Sequence, residues 1–196
     1  MIKEIFMSTP LLILLAIIAL LLLLIIMIHN SIITFYNACQ RAWADVIAEE
    51  LKKTRLLPNL EKMVEEYKIH EASVLQNVTE LRSALQQISP DKTDIEALTK
   101  VNQQSKALLN NINMVAENYP ELKASNIYQS FMRELSELEN NIAASIRIFN
   151  GNVERYNTKI EVFPNVLINN MITHKPRLNV FTDAVATDHF EYKPNF

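Results

Sequence analysis

The sequence predicts an all-α protein: an N-terminal transmembrane helix continuing into an antiparallel up-down-up-down four-helix bundle. Three observations carry that expectation: one long apolar run, a chain almost without glycine, and apolar residues that recur by threes and fours. The run, LLILLAIIALLLLLIIMI, extends from Leu11 to Ile28 without a polar side chain. Its eighteen residues make a helix of roughly 27 Å, close to the ~30 Å hydrocarbon thickness of a bilayer. Every backbone amide is satisfied inside such a helix, as hydrocarbon requires. A cleaved signal peptide is the competing reading. The run exceeds the usual h-region, Lys3 is balanced by Glu4, and no A-x-A-like site follows, so a permanent anchor is expected. The organisation that follows is an N-terminal segment and anchor over 1–30, a bundle over 31–172 and an irregular tail over 173–196.

The composition excludes several classes of function. A net charge of −3 lacks the basic footprint of a nucleic-acid binder. The single glycine, Gly151, leaves no material for phosphate-cradling loops or hairpins, which need residues at positive φ. The single cysteine, Cys39, rules out an internal disulfide framework and reads as a small core residue.

Beyond the anchor, Tyr36, Cys39, Trp43, Val46 and Ile47 keep helical spacing, so the first helix is expected to leave the bilayer unbroken. Glu49 and Lys53, four apart, read as a solvated face. LLPNL then places a turn at Thr54–Leu57 and a new helix from Pro58, with a kinked continuous helix as the alternative. Leu60, Val64, Tyr67, Glu71, Val74, Val78, Leu81, Leu85 and Ile88 form a heptad seam suited to bundle or coiled-coil packing. Ser89–Pro90–Asp91 reads as a stop and restart, with Ser89 as N-cap. The third helix carries Ile95, Leu98, Val101, Leu108, Leu109, Ile112 and Val115, and Tyr119–Pro120 ends it. Asn126 and Gln129 suggest a capping box for the fourth helix, whose stripe runs from Tyr128 to Phe163. Gly151 within it marks either a close helix approach or a weak spot. Val166 to Ile172 is a short apolar continuation, and the tail from Thr173 has no period.

An antiparallel bundle returns its fourth helix to the membrane. Phe163, Leu167 and Ile168 are therefore expected near the headgroups, beside Tyr36 and Trp43. Asn37, Asn150 and Asn157 fall close to the core stripes and are expected to be buried, structural and hydrogen-bonded to one another.

Little in the chain suggests catalysis. Glu66 and His70 lie four apart and Glu71 follows, yet the di-iron bundle signature is Glu-x-x-His and no second such pair exists. No strained nucleophile elbow is visible. The expectation is no enzyme, no cofactor, no metal site and no small-molecule substrate.

The chain resembles the LemA family of bacterial membrane-anchored proteins. The resemblance rests on FYN (Phe35–Asn37), RAWAD (Arg41–Asp45), LLPNL (Leu56–Leu60) with Tyr67 and His70–Glu71, and YPELKAS (Tyr119–Ser125). It continues in LENNIAASIRIFN (Leu138–Asn150) and VERYNTKIEVFPNVLI (Val153–Ile168). Arg55, Phe149 and the segment from Met171 to Phe181 depart from the family pattern. The resemblance implies one transmembrane helix, a four-helix bundle and a cytoplasmic bundle at the bacterial inner (cytoplasmic) membrane; it implies no reaction. A slight basic excess on the bundle side (Arg41, Lys52, Lys53, Arg55) points the same way. The function expected is a membrane-anchored scaffold whose partners are the lipid bilayer and either another protein or a second copy. A sensory or signalling helical module and a metal-dependent bundle enzyme are the alternatives.

Overall fold

The computed structural model describes residues 2–67 and 72–182, and all regular secondary structure among them is helical. The chain divides into two compact units, Met1–Cys39 with Asn152–Leu178, and Gln40–Gly151 with Asn179–Phe196. Helix α1 (Ile2–Leu51) carries the apolar run, with Pro10 inside the helix rather than before it. An 18-residue window there has a mean hydropathy of 3.7 and no buried residue. This single N-terminal helix is long and apolar enough to cross a membrane. Burial begins at Ile32 and recurs at Cys39, Ala42, Trp43, Val46 and Ile47, the same helix changing from an uncovered apolar rod to a packed one. The helix continues well past the apolar run, as its spacing predicts.

Between α1 and α2 (Lys53–Glu66) the expected turn at Thr54–Leu57 is absent. The alternative holds: Lys52 keeps right-handed helical backbone angles, and Pro58 lies inside α2. At the junction Lys52 N–H donates to the Glu49 carbonyl at 3.1 Å and Arg55 N–H to the Lys52 carbonyl at 3.0 Å, tighter i→i−3 bonds that mark the break between α1 and α2. The long second helix predicted from its seam is also divided. Helix α2 closes on Tyr67, and α3 (Ala72–Gln87) follows residues 68–71, which lie outside the described residues along with His70 and Glu71. The seam residues Leu60, Val64, Val74, Val78, Leu81, Leu85 and Ile88 are all buried.

Helix α4 spans Ile95–Asn118, so the restart comes later than Ser89–Pro90–Asp91 suggests. Asp94 is the cap, its carboxylate accepting from Ala97 N–H at 2.9 Å, while the Ser89 hydroxyl accepts from Asp91 N–H within the turn. An acidic cap at the positive end of the helix dipole prevails over the hydroxyl. Helices α3 and α4 pair antiparallel: Lys100 meets Gln87 beside the connection and Ser73 meets Asn111 at the far end. After the short α5 (Pro120–Ala124), helix α6 runs Asn126–Glu161. Its cap is Ser125, whose hydroxyl accepts from Tyr128 N–H, and not Asn126, which is already helical. In the larger unit α6 lies antiparallel to α1, with Trp43 against Phe149 at 5.4 Å between ring centroids. The chain then makes α7 (Asn165–Ile168) and a π-helical turn, Asn169–Thr173.

A methyl group added at Gly151 meets nothing within 4 Å. That decides between the two readings of this residue: it is a weak point in α6 and not a close approach. Gly151→Ala is expected to stabilise the protein by about 0.5–1 kcal/mol, because alanine restricts the unfolded chain without meeting a neighbour. Thermal or denaturant unfolding of the variant checks this.

Candidate functional site

Within the larger unit the polar core centres on Lys53, whose side chain is 2% exposed. Its ammonium reaches Glu50 Oε2 at 2.8 Å, Glu139 Oε1 at 2.9 Å and Ser105 Oγ at 2.9 Å. One hydrogen-bond acceptor and two counter-ions, contributed by α4, α1 and α6, thus surround a lysine of α2, and Glu50 Oε2 is buried in ion-pair contact without a hydrogen bond. Lys53 does not lie on a solvated face with Glu49; Glu49 pairs instead with the neighbouring Lys52. Lys53 opens α2 after the i→i−3 turn at Lys52, a break in register that charge spacing along one straight helix does not reveal. A serine beside a lysine is one form of activated nucleophile. Here the lysine lies between two carboxylates and donates to the Ser105 hydroxyl instead of accepting from it. Burial holds the Glu50 carboxyl above its ordinary range; the charge and hydrogen bond of Lys53 pull it back in part, and the Glu139 charge adds to the rise. The cluster is structural.

Trp43 belongs to the same core. It is completely buried, and its indole N–H donates to the Ser89 carbonyl at 2.9 Å. Its expected place among the headgroups is therefore wrong. The Phe149 contact and the carbonyl at the α3–α4 connection satisfy both its apolar body and its polar edge.

Asparagine performs a different task from the one predicted. Asn37 is exposed, Asn150 half-buried and Asn157 buried. Asn150 and Asn157 bond to main chain instead of to each other. In the smaller unit the Asn157 amide donates to the Leu178 carbonyl at 2.9 Å and accepts from Leu178 N–H at 3.0 Å. Asn169 does the same for Lys175, at 3.0 and 3.1 Å. In the larger unit Asn150 holds both polar groups of Phe181, each at 2.8 Å. A primary amide offers one donor face and one acceptor face, the complement of a single extended residue. The described part of the tail, without regular structure, is thus held at three points. Asn165 adds a bond to the Lys159 carbonyl at the end of α6.

The remaining cluster is in the smaller unit, where the apolar rod becomes a packed helix. Tyr36 meets Tyr156 edge-on at 5.6 Å, and the Lys175 ammonium stands 4.0 Å over the Tyr36 ring. Lys159 lies 5.7 Å over Phe35. The Tyr156 hydroxyl donates to the Pro176 carbonyl at 2.7 Å, and burial foremost, with Tyr36 and Cys39 beside it, pushes its pKa up to about 12. Burial also pushes the Cys39 thiol up to about 11, so it stays protonated and is no nucleophile. His29 Nδ1 and Thr173 Oγ1 are 3.0 Å apart, which fixes the π-helical turn beside the first residue after Ile28. Phe163 and Leu167 are exposed there and Ile168 is partly covered. Among the described residues no group of three or more His, Cys, Asp or Glu side chains is placed to hold a metal ion. His70, Glu71 and His189 lie outside them.

The family model described as LemA family matches residues 42–190. The chain is also similar to Protein LemA of Metamycoplasma hominis (strain ATCC 23114), 31% identical over 134 residues. That alignment covers 68% of this chain and 60% of the relative, so the chain matches somewhat under two thirds of that protein's length.

Removing Lys53 leaves Glu50 buried without its partner. Lys53→Met is expected to cost about 3 kcal/mol or more, measured by denaturant unfolding. Glu50→Gln behaves oppositely. Because the folded protein holds this proton more tightly than the unfolded chain, the stability linked to Glu50 is full below 4.5 and is lost as pH rises through its raised folded value. Glu50→Gln should therefore gain on the parent protein as the pH of the melt is raised. Asn157→Ala strands the N–H and carbonyl of Leu178 and is expected to cost about 2 kcal/mol, read as a lowered Tm.

Proposed function

The chain belongs to the LemA family, and from that premise we propose that it is a non-enzymatic, membrane-anchored helical scaffold. Its anchor crosses the bacterial inner membrane over residues 11–28, and the helices beyond it form an antiparallel four-helix bundle on the cytoplasmic side. The bundle presents a surface to a protein partner or to a second copy. The single observation that carries this reading is the character of α1. One uninterrupted helix bears an uncovered apolar stretch near its N-terminus and the buried residues Trp43, Val46 and Ile47 further on. A signal peptide ends before the folded domain; this helix is part of it. Restricting such a domain to two dimensions raises its effective concentration toward neighbours without any new contact.

A shallow groove of about 350 Å³ in the larger unit, lined by Asn59, Lys62, Asn126, Ile127, Phe131 and Glu134, supports a partner-binding role. Its mixture of an aromatic floor and charged rim suits a protein surface better than a small molecule. Photo-crosslinking tests the scaffold reading on the full chain in native membranes. A benzophenone residue at Ile127 is expected to yield a discrete adduct with a protein or with a second copy. Recovery of the chain in the soluble fraction after alkaline carbonate washing, or no adduct from the groove, would count against it.

A further inference from the structure

The smaller unit carries an apolar surface that no part of the described chain covers. Phe163 is 79% exposed and Met171 75%, and Val162, Leu167 and Ile172 are exposed with them. These residues follow one another from the end of α6 through α7 and the π-helical turn. Soluble surfaces expose large apolar side chains singly, and a cluster of five calls for an occupant. Two observations identify it. The His29–Thr173 contact ties this turn to the residue immediately after the apolar run, so Met171 and Ile172 adjoin the end of the anchor. Two of the surrounding cations stand over aromatic rings, Lys159 over Phe35 and Lys175 over Tyr36; Arg155 and Glu154 both line the groove of Phe35 and Val162, and Glu161 is paired with Arg177. Aromatic side chains with lysine and arginine above them are the chemistry of the membrane–water interface, where the rings sit among headgroups and the cations meet lipid phosphates.

We propose that this face is a second, monotopic membrane contact: Phe163, Leu167, Met171 and Ile172 insert into the interfacial layer of the same bilayer that the anchor crosses. The basic side chains engage anionic headgroups. Insertion of this kind reaches about 5–10 Å, to the boundary of headgroups and acyl chains. Two attachments at different points of the domain restrict its tilt, which a single span leaves free, and so fix which faces are presented to neighbours. The inference rests on the anchor reading of α1 and deepens it.

The test uses the full chain with Cys39→Ser, reconstituted into vesicles of mixed phosphatidylcholine and phosphatidylglycerol carrying brominated acyl chains. A bimane label is placed in turn at Leu20→Cys, Met171→Cys and Ser136→Cys, the last an exposed position of α6 far from its C-terminal end. Bromine quenches by proximity, so the labels at 20 and 171 are expected to lose about half or more of their fluorescence and the label at 136 little. Quenching at 20 without quenching at 171 would overturn the second contact while leaving the anchor intact. Loss of quenching at both would overturn the two together. Shielding of the label at 171 without lipid quenching, accompanied by a disulfide between two copies of Met171→Cys, would assign the face to self-association and overturn the proposal. Phe163→Asp with Met171→Asp provides the independent check. Both positions are exposed, so folding is retained, and the reporter must come from elsewhere on the face. A label at Ile172→Cys in that background is expected to escape quenching.

Discussion

One ammonium group joins the larger unit. Lys53 donates to a hydroxyl of α4 and stands within 2.9 Å of a carboxylate of α1 and a carboxylate of α6. Taking these charges out of water costs several kcal/mol, and their mutual attraction offsets it only while the ions stay in contact. An apolar seam tolerates a slide of one heptad, because one leucine replaces another. This cluster does not, since a shift of α6 by one turn carries Glu139 away from the ammonium. The helices thus obtain their adhesion from Leu60, Leu81, Leu98, Ile142 and similar residues, and their register from Lys53. The break between α1 and α2 at Lys52 belongs to the same device, because Glu50 and Lys53 flank it and both are buried.

Where the chain ceases to be helical, asparagine takes over. With a single glycine the protein has few ways to turn tightly, and its C-terminal segment forms no strand among the described residues. Backbone amides and carbonyls of such a segment still require partners. Asn150, Asn157 and Asn169 each satisfy both groups of one residue, which holds Phe181, Leu178 and Lys175 in place without a sheet. The asparagines are therefore structural, though their partners are peptide groups and not one another.

The smaller unit uses its charges in a third way. Aromatic rings capped by lysine tolerate both water and headgroups, whereas the buried Tyr156 and Cys39 beside them remain neutral because burial disfavours their charged forms. Between the Lys53 cluster and this cationic–aromatic zone, charge is used in two opposite ways: fully paired and buried in one, left at the surface over rings in the other.

Local physics alone, read along the chain, determined the helices, the long apolar N-terminal stretch and the apolar faces, since these depend on periodicity and composition. Val78, Leu98 and Phe149 are buried where their spacing predicts. The exact ends of helices were less legible, because Asp94 and Ser125 compete with nearby caps of similar strength and only packing selects between them. Three features needed the tertiary structure. The burial of Lys53 depends on residues 52 and 86 positions away in the chain, Ser105 and Glu139. The withdrawal of Trp43 into the core depends on a carbonyl at Ser89. The choice of main chain as the partner of Asn150 and Asn157 depends on where the tail runs. In each case the deciding interaction joins groups distant in sequence, and no local pattern specifies which polar group will meet which.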